Sequence, residues 1–179
     1  MRKKYLLGSL ALACVLGVFY GCGGPKTPPD MPKLHSTVIM IVQEGKPLAD
    51  ASVQLVKKDD LNYKWLCGGT TTADGKCVVK TLGKYNGVPE GDFTVLVYKT
   101  VVTESETRKN VEQPREPKEA QEWARKVAEE EKSFEYVDPK YKKYDTSDLT
   151  ITIKAGKNEQ TFEVGPQTEI EVKPTLQTI

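Results

Sequence analysis

Few residues in this 179-residue chain have the type and spacing to do chemistry: Cys14, Cys22, Cys67 and Cys77, the single histidine His35, and three polar runs. One imidazole excludes every zinc cage built on several histidines and every two-histidine acid–base pair. Paired carboxylates are present at Asp59-Asp60 and Glu129-Glu130-Glu131, the residue type a glycosidase uses. Asp59, Asp60 and Asn62 also offer the oxygen ligands calcium takes. Both stretches read as solvated surface. The run Lys140-Tyr141-Lys142-Lys143-Tyr144 interleaves cations with aromatic rings, so Lys140, Tyr141 and Tyr144 are candidate contacts for a polyanion or a sugar; the competing reading is a solvated loop covering one end of the fold. No Gly-x-Ser-x-Gly elbow, paired-histidine zinc motif or phosphate loop occurs. The expectation is therefore no catalytic residue, no resident metal and no cofactor.

The context of Cys22 is more informative. Arg2, Lys3 and Lys4 precede a charge-free apolar stretch from Tyr5 to Tyr20, the layout of a secretory signal and marginal for a spanning helix. Gly21-Cys22 followed by Gly23-Gly24-Pro25 resembles the lipobox of bacterial lipoproteins, in which a small residue precedes a cysteine that is acylated and becomes N-terminal. Phe19 stands where that family usually has Leu, and Tyr20 where it prefers a small residue. Cys14 after Ala13 is a competing site that leaves a very short apolar region. An uncleaved anchor and an ordinary secretory signal are the alternatives. The resemblance implies a signal over 1–21, palmitate-type acylation at Cys22, and a lipidated tether over 22–34, stiffened by Pro25, Pro28, Pro29 and Pro32.

Processing changes the totals. The full chain has 26 basic and 25 acidic residues, a formal +1; loss of Arg2, Lys3 and Lys4 leaves 23 against 25, or −2. Neither value carries the basic field of a nucleic-acid binder. Outside the cytoplasm, Cys67 and Cys77 are expected to form a disulfide; two free thiols or a metal pair are the alternatives.

The elements that must position these residues are mostly strands. Val38, Met40 and Val42 alternate with Ile39 and Ile41, predicting a strand buried on both faces. Ala51 to Val56 alternates again after a turn at Gly45-Lys46-Pro47. Tyr63–Thr72 and Lys76–Leu82 flank Ala73-Asp74-Gly75, an Asp-Gly hairpin signal. Phe93, Val95 and Val97, then Leu149, Ile151 and Ile153, then Phe162 and Val164 mark further strands, with a turn at Ala155–Asn158. Pro117–Phe134 breaks the pattern: Ala120, Trp123, Ala124, Val127 and Ala128 recur at helical spacing. Lys118/Glu122, Glu122/Lys126, Arg125/Glu129 and Lys126/Glu130 are spaced for ion pairs on the polar face. Trp123 is expected to dock its own helix; a partner-binding anchor is the alternative.

Several turns together resemble transthyretin-like, carboxypeptidase-regulatory-like domains. Gly45-Lys46-Pro47-Leu48-Ala49-Asp50-Ala51-Ser52-Val53 is similar to their "G-x-P-x-x-x-A-x-V" opening. Thr71-Thr72-Ala73-Asp74-Gly75-Lys76 is similar to their "T-T-x-x-D-G" hairpin, and Glu90–Val95 to "x-G-x-Y/F-x-V". Pro139-Lys140-Tyr141 and Thr146-Ser147-Asp148-Leu149-Thr150 resemble the "P-x-K-Y … T-S-x-L-T" ending of small planctomycete-type lipoproteins with this domain. The departures are Cys67, Cys77 and the helical insertion. The resemblance spans about residues 36–165. It implies an all-β fold, a transthyretin-like (prealbumin-like) Greek-key β-sandwich over 35–165 with one inserted α-helix at about 117–134, and a C-terminal strand or tail over 166–179. Hydroxyisourate hydrolases share that fold but use several histidines and a C-terminal tetrapeptide, which this chain lacks. The expected function is that of a non-catalytic lipoprotein of the bacterial cell envelope, lipid-anchored with its domain in the periplasm or at the surface, acting as a structural or protein-binding module. A carbohydrate- or peptide-binding accessory lipoprotein of an uptake complex is the alternative, and a hydrolase with an unrecognised site a distant one. The partners implied are a membrane and an envelope protein or glycan, with no nucleic acid.

Overall fold

The computed structural model describes residues 27–172. The signal-like segment 1–21, the acylation candidate Cys22, the first tether residues and the tail beyond Val172 lie outside the described residues. The described chain opens with β1 (Leu34–His35), β2 (Thr37–Gln43), β3 (Lys46–Pro47), β4 (Ser52–Lys57) and β5 (Cys67–Thr70). It continues through β6 (Lys76–Val78), β7 (Lys80–Thr81), β8 (Tyr85–Asn86), β9 (Val88–Pro89), β10 (Gly91–Tyr98) and β11 (Thr100–Val102). Then come α1 (Glu106–Asn110), α2 (Pro117–Glu130), β12 (Ser133–Glu135), a 3-10 turn at Pro139–Lys142, β13 (Thr150–Ile153), β14 (Asn158–Glu163) and β15 (Ile170–Val172). The chain is mostly strand, an all-β fold.

Two sheets enclose the core. One has the order β13-β10-β4-β5-β7-β8; in the other β14, β2 and β3 lie side by side and β6 also pairs with β2. All these pairings are antiparallel except β14 against β2, which is parallel with Phe162 opposite Ile41. Ile39, Ile41, Phe162 and Val164 from one sheet pack with Val53, Leu55, Phe93, Val95, Val97 and Ile153 from the other. Burying such aliphatic and aromatic side chains stabilises the fold by about 1.5–3 kcal/mol each. The expectation that β2 is buried on both faces is corrected. Thr37, Ile39, Ile41 and Gln43 point inward, while Val38, Met40 and Val42 are half-buried, because the other face opens on a shallow recess beside Lys76 and Glu159.

The Asp-Gly turn forms, but not as a hairpin within one sheet. Gly75 has φ 74°, and its N–H donates to Thr72 O at 2.8 Å. A β-carbon there would meet Ile41 O at 2.7 Å, so glycine is required on two counts. The turn carries the chain from β5 in the six-stranded sheet to β6 in the opposite one.

The insertion is larger than one helix. β11, β12 and β15 form a three-stranded sheet carrying α1 and α2. The C-terminal segment thus contributes a strand, Ile170–Val172, to the insertion. α2 ends at Glu130, and Phe134, placed in the helix by its sequence pattern, instead lies in β12 opposite Val101. Trp123 docks its own helix: its indole N–H donates to Val111 O at 3.2 Å, just beyond α1. Val127 is buried, whereas Ala124 and Ala128 are exposed, so the packed stripe is narrower than the apolar spacing indicated. Of the four anticipated helix pairs, Arg125–Glu129 is in range, at 4.0 Å. Among the described residues, no helix is long and apolar enough to cross a membrane.

Candidate functional site

The anticipated Cys67–Cys77 bridge is absent; both are free, buried thiols. Each sulfur has its own surroundings. Cys67 sits on β5 in the six-stranded sheet, its Sγ 3.2 Å from Trp65 O and 3.4 Å from Thr81 Oγ1. Cys77 sits on β6 in the opposite sheet, and its Sγ lies against Gly69. Burial pushes the Cys77 thiol up to about 11 and also raises Cys67, although the Thr81 hydroxyl opposes that shift. Both thiols are therefore protonated at neutral pH and poor nucleophiles.

The Lys140–Tyr144 run does not form an exposed aromatic platform, so the possible ligand contact at Tyr141 is corrected. Asp138 caps the 3-10 turn by accepting from Lys140 N–H at 2.9 Å. That turn drives Tyr141 into the hydrophobic core. Tyr144 is half-buried and donates to Lys58 O at 3.2 Å. Lys140 covers the Tyr141 ring at 4.5 Å and pairs with Asp148 at 3.7 Å, while Lys142 pairs with the buried Glu135. The basic residues here hold the fold together. Thr146 and Ser147 close the segment, donating to Lys140 O and to Val95 O respectively.

His35 is buried at the start of the fold. Its Nδ1 accepts from Gly156 N–H at 3.0 Å, which assigns the proton to Nε2. Nε2 is 2.9 Å from Glu90 Oε1, at an angle that leaves it without a well-formed hydrogen bond. Asp60 accepts from Asn62 N–H in a local turn. Among the described residues, no three His, Cys, Asp or Glu side chains converge as a metal site would require.

One surface missed by the sequence reading combines exposed apolar side chains with cations. β7 and β8 are joined by Leu82-Gly83-Lys84. Leu82 (φ 53°) and Gly83 (φ 66°) both adopt left-handed backbone, and Lys84 N–H closes the turn on Thr81 O at 3.2 Å. Leu82 N–H donates to Leu66 O at 2.7 Å, joining this tip to the 58–66 loop. Leu61, Leu66 and Leu82 are 65%, 61% and 44% exposed. From the tip, a shallow trough runs over the outer face of the six-stranded sheet, lined by Ser52, Gln54, Leu66, Gly68, Leu82 and Tyr98. Its floor at Gly68 is bare backbone, because a β-carbon there would lie 2.6 Å from Val53 O. The sequence signal was the Leu82-Gly83 pair, a turn dipeptide with leucine in the slot asparagine usually fills.

The N-terminal arm reaches the same place. Residues 28–31 form a turn closed by Met31 N–H on Pro28 O at 3.1 Å, and Asp30 pairs with Lys64. Thr27 and Lys33 line a recess with Lys84, Tyr85 and Asn86. The part of the expected 22–34 linker from Pro28 onward is thus folded against the domain, and Leu34 already pairs with Pro89.

No family model matches the chain, and neither a curated protein nor a solved structure is similar to it.

Proposed function

We propose that this chain is a non-catalytic lipoprotein of the bacterial cell envelope, anchored through Cys22, whose β-sandwich is a structural or protein-binding module. The observation that carries the reading is the polarity of the fold relative to the anchor. The arm described from Thr27 onward meets the domain at the end where Lys57 opposes Phe93, beside the 58–66 loop. The insertion leaves from the other end, where Ser52 opposes Tyr98 and β11 begins. A domain tethered at Cys22 would hold α1, α2 and their sheet away from the bilayer, where an envelope protein can reach them.

A transthyretin-like (prealbumin-like) Greek-key topology belongs to the same reading. It is supported by the chain's repeated crossing between the sheets, from β2 to β4, β5 to β6, β6 to β7 and β13 to β14. It is also supported by turns at Gly45 and Gly75 and by Gly91 at the entry to β10, where the motifs of that family put them.

The test is mass analysis of the mature N-terminus together with pull-down from native membranes. The expected peptide begins at Cys22 and carries acyl chains, and envelope proteins co-purify. An unmodified peptide starting elsewhere overturns the anchor. The alternative, an accessory lipoprotein that binds a glycan or peptide, is favoured by the trough, where Tyr98 and Gln54 offer a ring and an amide. Shifts at Tyr98 in a glycan or peptide screen would select it.

A further inference from the structure

We propose that the tether end of the domain is itself a membrane-contacting surface, in which Leu61, Leu66 and Leu82 enter the interface of an anionic bilayer and Lys33, Lys64 and Lys84 meet its phosphates. The proposal rests on the anchor reading and specifies what that anchor presents to the lipid.

Three observations carry it. The first is distance. Thr27, where the described chain starts, lines one recess with Lys33 and Lys84, and Cys22 is five residues earlier. Five extended residues span at most about 18 Å, so an acylated Cys22 cannot hold this end far from the headgroups. The surface closest to the anchor is the one with three exposed leucines.

The second is charge. The described residues hold 21 basic and 25 acidic side chains, an overall acidic domain. At this end Lys33, Lys57, Lys58, Lys64 and Lys84 outnumber Asp30, Asp59, Asp60 and Glu90 by one, with Lys64 paired to Asp30, and an anionic surface attracts each cation by about 1 kcal/mol. Lys64 lies over the Trp65 ring at 4.6 Å and Lys84 over the Tyr85 ring at 5.5 Å. Each ammonium thus sits over an aromatic face, and aromatic rings with nearby cations suit a membrane interface.

The third is strain. Leucine in a left-handed backbone slot is disfavoured, and Gly or Asn would close the same turn without that cost. An exposed, strained leucine beside a second exposed leucine gains nothing from water, and both gain from lipid.

The experiment reconstitutes the full mature protein into vesicles of phosphatidylcholine containing phosphatidylglycerol. A polarity-sensitive fluorophore is placed at Leu82→Cys, at Leu66→Cys, or at Ala124→Cys on the exposed face of α2. Cys67 and Cys77 are buried and leave labelling to the introduced thiol. The N-terminal mass is read on the same sample. The expected result is an acylated Cys22, blue-shifted emission quenched by nitroxide lipids at positions 82 and 66, and a water-exposed probe at 124. An acylated N-terminus with aqueous probes at 82 and 66 overturns the surface and leaves the anchor standing. An unmodified N-terminus with probes that shift on adding the same vesicles upholds the surface and removes the anchor. An unmodified N-terminus with unmoved probes removes both. In trans, Leu82→Asp is expected to weaken vesicle binding about tenfold, and Lys64→Gln or Lys84→Gln about fivefold each; unchanged binding in all three variants overturns the surface.

Discussion

The buried Cys77 sulfur lies under the exposed backbone of Gly69: a β-carbon on Gly69 would come within 2.8 Å of it. The Cys77 side chain is fully buried. Gly69→Ala is therefore expected to destabilise the domain by about 1–3 kcal/mol, because the added methyl collides with a buried sulfur that must shift. Urea unfolding measures it. If the clash with sulfur is the cause, Gly69→Ala combined with Cys77→Ala recovers part of that loss. Two strictly additive single effects would show that Gly69 is required for its backbone alone.

The same packing makes a statement about redox state. The native protein is expected to leave both Cys67 and Cys77 unmodified by a thiol reagent, and the unfolded protein to expose both, with no mass change on reduction. Alkaline pH should then destabilise the fold. Burial raises Cys77 from an ordinary 9.0 to about 11, so the folded state retains a proton that the unfolded chain gives up. Stability is complete below about pH 9 and falls as pH rises towards 11. Cys77→Ala should flatten that slope; an equally steep slope in the variant assigns the effect elsewhere.

Tyr141 and Tyr144 separate a structural role from a binding one. Tyr141 belongs to the core, so Tyr141→Ala is expected to cost about 3–5 kcal/mol, as for other buried aromatics. Tyr144→Phe loses one hydrogen bond to Lys58 O, worth about 1 kcal/mol. Thermal melts and a glycan screen read both effects. Retained stability in Tyr141→Ala would show that the ring is not held in the core.

These residues also show what could be read from the chain. Alternation placed β4, β13 and β14, because one face of each is buried and period two survives averaging over neighbours; β10 was found from Phe93, Val95 and Val97, although Thr94 and Leu96 on its other face are buried too. The helix at Pro117 was legible for the same reason at period 3.6. Strands of two or three residues, such as Lys80–Thr81 and Tyr85–Asn86, are too short for any periodicity. The pairing of β5 and β6 with different sheets depends on contacts to β4 and β2 far along the chain, so the Asp-Gly turn was recognised but its connection was not. Tyr141 looked exposed because lysines surround it in sequence. A single 3-10 turn is enough to send the ring inward and the lysines outward. Leu66 and Leu82 become neighbours where the β5–β7 pairing of Cys67 with Thr81 runs on by one residue, a register that no local pattern shows.

At acid pH the inter-sheet turn is the element to watch. The Thr72 hydroxyl and the Lys76 ammonium hold the Asp74 carboxyl at about 2, below its ordinary 3.8. A depressed carboxylate contributes stability above its unfolded value and loses it as pH falls, here between about pH 4 and 2. Asp74→Asn should remove that part of the acid dependence while leaving the neutral fold intact. Chemical shifts of Thr72 and Gly75 through an acid titration provide the readout; shifts that titrate identically in the variant would detach them from Asp74.

Leu82 allows stability and membrane contact to be varied in opposite directions. Its φ of 53° puts a branched side chain where asparagine is tolerated far better. Leu82→Asn is therefore expected to stabilise the isolated fold by about 1 kcal/mol, because the relieved backbone strain outweighs the partial burial lost. The same change should weaken association with anionic vesicles, since it removes the apolar group at the tip. A residue chosen for folding alone would show the two effects moving together. Urea midpoints and vesicle sedimentation on one preparation decide it, and a variant that is both less stable and equally membrane-bound would mean that Leu82 serves the fold after all.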